Sequence, residues 1–364
     1  MDPAPRLTSL VRSLPATVPF VGPETQERQR GQTFVARLGA NELTLGPSPA
    51  AVEAMARSCA EAWKYGDPEN HDLREALAVH HGVPADCIVV GEGIDGLLGY
   101  LVRMLVEPGT PVVTSKGAYP TFAFHVVGHG GELHTVPYVN DCEDPASLLD
   151  KAREVDAHLI YLANPDNPMG TWHGAEAVTR MIDARPKGAL LVLDEAYIEF
   201  APDGTAPPID VQDPGVIRMR TFSKAYGLAG ARIGYAIAHK DLIAAFHKVR
   251  NHFGVNRVAQ MGALAALSDQ VHLQNVIRAV DSCKQRLADL ARRRGWNPLP
   301  SATNFQTIDL GRDGAFARSV VTQLAERRIF TRMPFVAPQD RCIRISCGND
   351  AEIDALEQAL KVCL

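Results

Sequence analysis

The run Thr221-Phe222-Ser223-Lys224-Ala225-Tyr226-Gly227-Leu228-Ala229-Gly230-Ala231-Arg232-Ile233-Gly234-Tyr235 sets one lysine among small and apolar residues. Hydroxyls stand on its N-terminal side, and an arginine follows eight positions after it. A lysine amine is nucleophilic only when it has lost its proton, and it then condenses with aldehydes. Thr221, Ser223 and Arg232 are the residue types that hold a phosphate: two hydroxyls and a planar guanidinium. A ligand carrying both an aldehyde and a phosphate would engage the whole stretch. Taken alone, the stretch reads equally well as a surface lysine between a strand and a loop.

Other stretches supply matching chemistry. Gly91-Glu92-Gly93-Ile94-Asp95-Gly96 follows an apolar run and opens a helix. Free backbone N–H groups at a helix start bind phosphate, aided by the helix dipole. By itself this pattern reads first as an ordinary glycine turn with Asp95 as a cap. Tyr119, in Ala118-Tyr119-Pro120, offers a flat ring that can stack on a pyridine face or simply pack. In Asn164-Pro165-Asp166-Asn167-Pro168-Met169-Gly170, two Asn-Pro steps and a glycine force a non-helical loop. That loop either presents the Asn167 amide to a ring oxygen or is a plain tight turn. Asp194 ends the strongly apolar strand of Leu191-Val192-Leu193-Asp194-Glu195-Ala196-Tyr197, where an unpaired carboxylate is costly. It needs a helix to cap, a salt-bridge partner or another cation. A protonated pyridine nitrogen is a suitable one, and that proton makes such a ring an electron sink. Tyr197, three positions on, can hydrogen-bond the ring's phenolic oxygen. An aldehyde, a phosphate and a basic pyridine on one molecule describe pyridoxal 5'-phosphate (PLP).

The elements that must position these residues are legible as an alternation. Short apolar runs occur at Cys87–Val90, Val112–Val113, Leu133–Val136, Leu159–Leu162, Leu190–Leu193, Val216–Met219 and Tyr235–Ala238, with helix-like segments such as Leu97–Val102 between most of them. Near-continuous apolar strands between helices indicate a mainly parallel sheet buried on both faces. Ligands of such sheets sit at the carboxyl ends of the strands, and each motif above falls just after such a run. Upstream, Ser48 is expected to cap a helix begun by Pro49, with Ala50, Val52 and Met55 setting its periodicity. The turn Tyr65-Gly66-Asp67-Pro68, in which Asp67 reads as a turn former, precedes a helix carrying Leu73, Leu77 and Val79. Beyond about residue 240 amphipathic helices take over, with strands near Asn304–Leu310 and Cys342–Ser346. The expected division is an N-terminal arm at 1–45, a large α/β domain at 46–240 and a small α+β domain at 241–364.

Composition narrows the class. A chain of 364 residues suits one large α/β unit plus a smaller domain. A formal charge of -5 with scattered Lys and Arg gives no sign of nucleic-acid binding, and the densest cluster, Arg292-Arg293-Arg294, reads as a solvated helix end. No apolar run approaches the ~18 residues of a membrane span, and the N-terminus lacks the layout of a signal peptide. The seven cysteines (Cys59, Cys87, Cys142, Cys283, Cys342, Cys347, Cys363) form no C-x-x-C pair. They read as reduced thiols in a cytoplasm, with Cys342 and Cys347 packed along a strand, and no metal site is expected.

Taken in order, Gly93-Ile94-Asp95, Tyr119, Asn167, Asp194 with Tyr197, Ser223-Lys224 and Arg232 resemble the fold type I PLP-dependent aminotransferases of the aspartate aminotransferase superfamily, over nearly the whole chain. The histidinol-phosphate aminotransferase branch is the most similar, on Asn164–Gly170, Asp194–Tyr197, Ser301-Ala302-Thr303-Asn304-Phe305 and Ile343-Arg344-Ile345-Ser346-Cys347-Gly348. The resemblance implies a mainly parallel seven-stranded sheet sandwiched by helices, with a smaller α+β domain. It implies that Lys224 forms a Schiff base with PLP and shuttles a proton, and that Asp194 pairs with the pyridinium. Asn167 and Tyr197 would bind the ring oxygen and Tyr119 would stack on the ring. Thr221, Ser223, Arg232, Gly93 and the backbone at Ile94 and Asp95 would hold the phosphate. Tyr65 would reach the partner's cofactor phosphate across a homodimer interface. Arg344, Arg332 and Asn41 would contact substrate.

The implied activity moves an amino group between an amino acid or an amino-alcohol phosphate such as histidinol phosphate and a 2-oxo acid such as 2-oxoglutarate. The same scaffold serves aminotransferases for aromatic or other amino acids, decarboxylases or lyases of phosphorylated amino acids, and non-catalytic regulators. The last usually append a DNA-binding domain, of which no pattern is visible here. The sequence departs from the branch at Leu43-Thr44, where Asn-Pro is usual, and at Phe20, where a tyrosine is usual; both departures are expected to bear on the substrate end of the site. At Gly96, by the cofactor phosphate, an acid is usual.

Overall fold

All seven apolar runs are strands of one sheet: β1 (Ile88–Gly91), β2 (Pro111–Ser115), β3 (Glu132–Val136), β4 (Leu159–Ala163), β5 (Leu190–Asp194), β6 (Val216–Thr221) and β7 (Gly234–Ala238). The structure, a computed structural model, describes residues 5–16 and 21–362; Phe20 and Cys363 lie outside the described residues. The spatial order is β1-β7-β6-β5-β4-β2-β3. β2 pairs in parallel with β3 and β4, and β4 with β5 and β5 with β6 likewise. β7 runs antiparallel to both neighbours, β1 and β6. The carboxyl ends of β1 to β6 therefore share one edge.

Successive strand residues point to opposite faces, so a strand apolar throughout must be covered on both. β4 and β5 are buried along their whole length. Tyr161, Leu190 and Val192 pack with Leu97, Leu101 and Phe122 on one face, under the helix Gly93–Leu105. Ile160, Leu191 and Leu193 pack with Leu148, Val178 and Met181 on the other, under the helices Pro145–Glu154 and Ala175–Ala184.

A second, antiparallel sheet joins Asn297–Pro298, Phe305–Asp309 and Cys342–Ser346. Its core is shared with the helices Gln270–Arg293, Gly314–Glu326 and Asp350–Lys361. The N-terminal segment joins this layer, because Ala36–Arg37 pairs in parallel with Ile329–Phe330. Among the described residues, no helix is long and apolar enough to cross a membrane.

Ser48 caps the helix Pro49–Cys59 as expected, its hydroxyl accepting from Ala51 N. The buried face is centred on Ala51, Ala54 and Ser58; of the three expected residues Met55 packs against the core, while Ala50 and Val52 are exposed. This helix meets the helix Arg257–Ser268 closely, since a β-carbon at Gly262 would lie 2.6 Å from Met55 Cγ. Small residues permit that approach, so alanines take the inner positions. In the helix His71–His81, Leu73 and Leu77 are buried and Val79 faces solvent. Asp67 is a turn former, accepting from Glu69 N and His71 N. Cys347 falls just beyond the strand Cys342–Ser346 but is buried all the same.

The turn after β6 is held by close backbone contact. Gly227 has φ +69° and donates its N–H to Lys224 O. A β-carbon there would lie 2.6 Å from the Gly46 carbonyl. Gly227→Ala therefore adds left-handed strain to a clash with rigid backbone, and is expected to destabilise the chain by about 2–4 kcal/mol. Chemical denaturation checks this, and an unchanged midpoint would show that the turn relaxes freely.

Candidate active site

β6 delivers Thr221, and the turn that follows carries Ser223 and Lys224 to the shared carboxyl edge of the sheet. A cavity of about 300 Å³ opens there. Asn41, Ile94, Asp95, Tyr119, Asn167, Asp194, Tyr197, Thr221, Ser223, Lys224, Arg232, Arg332 and Arg344 all line it. Of the residues singled out from sequence, Gly93 and Tyr65 do not line it. Gly93 forms the rim, with φ +80°, and a β-carbon there would lie 2.6 Å from Arg232 Nη2. Tyr65 is on the outer surface, 78% exposed, with its ring 4.8 Å from that of Phe253.

Lys224 Nζ is 3.4 Å from Asn41 O and lies over the Tyr197 ring. Burial lowers its pKa to about 8, and the Arg344 and Arg232 guanidiniums push in the same direction. Its amine is thus nucleophilic in mildly alkaline water.

Asp194 stands at the last position of β5. Its Oδ2 accepts from Tyr161 OH at 2.6 Å, and its Oδ1 from Ala196 N at 3.0 Å. These bonds favour the ionised form, but burial outweighs them and raises the pKa. A cation placed against this carboxylate would reverse that shift.

Tyr197 OH accepts from Asn41 Nδ2 at 2.9 Å and from Asn167 Nδ2 at 3.5 Å, and burial raises its pKa. Arg344 donates to Asn167 Oδ1 and to Gly39 O, while its buried Nε has no hydrogen-bond partner in the structure. It forms no ion pair among the described residues, and burial lowers its pKa to about 10. Arg332 donates to Val21 O at 2.8 Å and lies over the Phe330 ring.

At the opposite end, the helix Gly93–Leu105 points its N-terminus toward the turn that carries Arg232. Arg232 has φ +57° and donates to Ala229 O, with Ser223 Oγ and Glu92 O each 3.4 Å away. Thr221 Oγ1 donates to Ser223 Oγ at 2.9 Å. Asp95 does not cap this helix: its carboxylate meets His125 Nε2 at 2.9 Å, which holds its pKa down.

Asn41 has its polar groups committed to the protein. Its N–H donates to Ser346 Oγ, its Oδ1 accepts from the same hydroxyl, and its carbonyl accepts from Asn304 Nδ2. Leu43, expected to bear on the substrate end, is instead buried in the core, and Thr44 is exposed. Neither lines the cavity.

Sequence reasoning missed Tyr161, which supplies the shortest hydrogen bond to Asp194. It sits inside an apolar strand and stacks on Phe122 at 4.6 Å. A phenol in a fully buried strand always needs a partner, and that was the available signal. Asp166 was missed too. It accepts from Tyr138 OH and Met169 N, both at 2.9 Å, and so fixes the loop that presents Asn167. Burial pushes its pKa up to about 7.

The sequence profile of the family Aminotransferase class I and II matches residues 34–360. The chain is 38% identical over 310 residues to a histidinol-phosphate aminotransferase of Anaeromyxobacter sp. (strain Fw109-5), covering 84% of this chain and 85% of the relative. It is 31% identical to that of Moorella thermoacetica, over 99% of this chain and 93% of the relative. The crystal structure of histidinol-phosphate aminotransferase from Sinorhizobium meliloti in complex with pyridoxal-5'-phosphate superposes with a TM-score of 0.95 at 53% identity, covering 98% of this chain and 96% of that one. The chain belongs to the class I and II aminotransferases.

Proposed function

We propose that this chain is a PLP-dependent aminotransferase acting between an amino-alcohol phosphate of the histidinol phosphate kind, or an amino acid, and a 2-oxo acid such as 2-oxoglutarate. One observation carries the reading. A lysine of lowered pKa and a buried carboxylate share a cavity that has Arg232 at one end and Arg344 with Arg332 at the other, none of the three in an ion pair among the described residues. Arg344, with a buried and unpartnered Nε, and the more accessible Arg332 and Arg232, with no counter-charge, suit anions from outside the chain.

The residues fit PLP. Asp194 gains a cation in the protonated ring nitrogen, and Tyr197 and Asn167 offer their polar atoms to the ring oxygen. Tyr119 flanks the ring. Thr221, Ser223, Arg232 and the helix start at Gly93–Asp95 make a phosphate cradle in which the missing side chain of Gly93 admits the Arg232 guanidinium. When bound, PLP supplies the electron sink for charge developed at the substrate's Cα.

The chain's own residues do the rest. Lys224 would hold the cofactor through its amine and, once displaced by the donor's amine, would take the proton from Cα and deliver it to the carbon on the far side of the transferred nitrogen. Asp194 keeps the ring nitrogen protonated throughout. Arg344 orients an anionic group of the donor or acceptor, and Arg332 offers a second anion contact suited to a phosphate. Asn41 keeps Tyr197 and Lys224 in register. The reading includes a cytoplasmic homodimer. The exposed Tyr65, with Phe253 against it, would face the partner's cofactor phosphate.

The direct test is a panel of donors mixed with the yellow enzyme. Histidinol phosphate is expected to bleach the cofactor band at lower concentration than any aromatic amino acid, and equal bleaching by all donors would broaden the donor class. Lys224→Ala is expected to lose turnover by at least about a thousandfold and to release PLP on gel filtration; wild-type turnover would refute the lysine's role. Asp194→Ala is expected to bind PLP weakly and to lose its half-reaction, followed by stopped-flow absorbance.

The capture of PLP by apoenzyme requires the neutral amine. Because the Lys224 pKa is lowered from its ordinary value to about 8, the capture rate is expected to rise with pH through about 8 and level off above it. Arg344 lowers that pKa, so Arg344→Gln should move the rise to higher pH. A profile unmoved by that substitution would separate the two charges.

A further inference from the structure

At Gly96, where an acid is usual in the branch, the structure holds a carboxylate from elsewhere. Glu92, the N-cap residue of the helix Gly93–Leu105, folds back over the first turn. A β-carbon added at Gly96 would lie 3.2 Å from Glu92 Oε2. A β-carbon added at Gly254 would overlap Glu92 Oε1 and its carboxyl carbon. Two residues without side chains, far apart in sequence, thus leave the space that one carboxylate fills.

That carboxylate is the first link of a chain of contacts. Tyr100 OH donates to Glu92 Oε1 at 2.9 Å and accepts from Asn251 N at 3.1 Å. Asn251 begins the segment that carries Phe253, whose ring lies against Tyr65. The Tyr65–Pro68 turn is gripped at both ends of that segment: Arg250 donates to Pro68 O, and Gln260 of the helix that follows exchanges hydrogen bonds with Asp67 N and O. At the segment's far end Asn256 Nδ2 reaches Ala231 O, beside Arg232. Meanwhile the Glu92 carbonyl faces Arg232 Nη2. One residue therefore touches both the helix start and the strap across it.

We propose that Glu92 is a positioning residue for the cofactor phosphate, its carboxylate lying beside position 96, where the resemblance implies an acid. Its carboxylate locks the 250–256 segment, and with it Phe253 and Tyr65, onto the helix whose N-terminus forms the phosphate cradle. The proposal rests on the cofactor reading above and goes beyond it.

The test measures release of PLP from diluted holoenzyme, with mass by light scattering alongside. Glu92→Ala is expected to release PLP about tenfold faster than wild type, the effect of one hydrogen bond to a charged group, while kcat at saturating PLP changes by less than about threefold. Adding Gly96→Glu to Glu92→Ala should recover most of the loss. Residues 96 and 100 lie four apart on one helix face, and side chains lean toward the helix N-terminus, so the new carboxylate reaches Tyr100. Glu92→Gln keeps an acceptor for Tyr100 and should retain PLP nearly as wild type does. Gly254→Ala alone should reproduce the loss by displacing the carboxylate, and it carries the test with Glu92→Gln if Glu92→Ala does not fold. Wild-type retention by Glu92→Ala and Gly254→Ala, or no recovery on adding Gly96→Glu, overturns the proposal. A wild-type chain that binds no PLP would overturn the proposed function instead.

Discussion

The constraint on which the rest depends is that charges of both signs are taken out of water into one cavity without neutralising one another. The shifts run in opposite directions from one cause. Burial pushes the Lys224 amine down and the Asp194 carboxyl up, each toward its neutral form. Had these two groups met as an ion pair, both shifts would have reversed and the lysine would be no nucleophile. Asp194 instead spends its acceptors on Tyr161 and a backbone N–H, and Lys224 leans on a carbonyl. Arg344 and Arg232 add positive charge near the amine and receive only neutral acceptors in return. Such an arrangement destabilises the empty chain, and it persists because the surrounding packing over-determines it.

The sheet makes that over-determination possible. β5 and β6 end side by side, so Asp194 and the Lys224 turn reach the same edge by register, with Asp194 opposite Met219. Behind them the strands are buried on both faces, and Tyr161 is wedged against Phe122 where it cannot leave Asp194. The second sheet contributes from across the cleft. Ser346 ends the strand Cys342–Ser346 and holds Asn41, which holds Tyr197. Arg344, two residues earlier, lies on the same strand and grips Asn167. Groups from four distant parts of the chain are thus fixed through a few hydrogen bonds.

Most of this layout was legible in the sequence, and the part that was not has a common cause. The strands announced themselves because a doubly buried strand must be apolar throughout, and the motifs because they follow such strands. Asn41, Asn167, Asp194, Tyr197 and Lys224 were all assigned to one site and line one cavity. What escaped were contacts set by tertiary approach. Tyr161 looked like core, and it is core, with one polar atom aimed at the site. The inner face of the helix Pro49–Cys59 was partly misjudged because close approach to another helix favours Ala51 and Ala54 over the larger Val52. Glu92 carried no signal at all, since its meaning lies in two glycines that make room for it.

The departures from the branch pattern gain their proper weight from the same geometry. A substitution can alter substrate choice only where its side chain, or the backbone it sets, reaches the cavity. Leu43 packs into the core and Thr44 points to solvent, so the loss of Asn-Pro there leaves the lining untouched. The residue that does reach the cavity, Asn41, keeps its left-handed backbone and all its bonds. The guanidiniums of Arg344 and Arg332 depend on neither position: one is held by Asn167 and Gly39, the other by Val21 and Phe330. Beside Gly96 the space is filled by the Glu92 carboxylate. Donor choice therefore has to be argued from the two guanidiniums and the cavity between them.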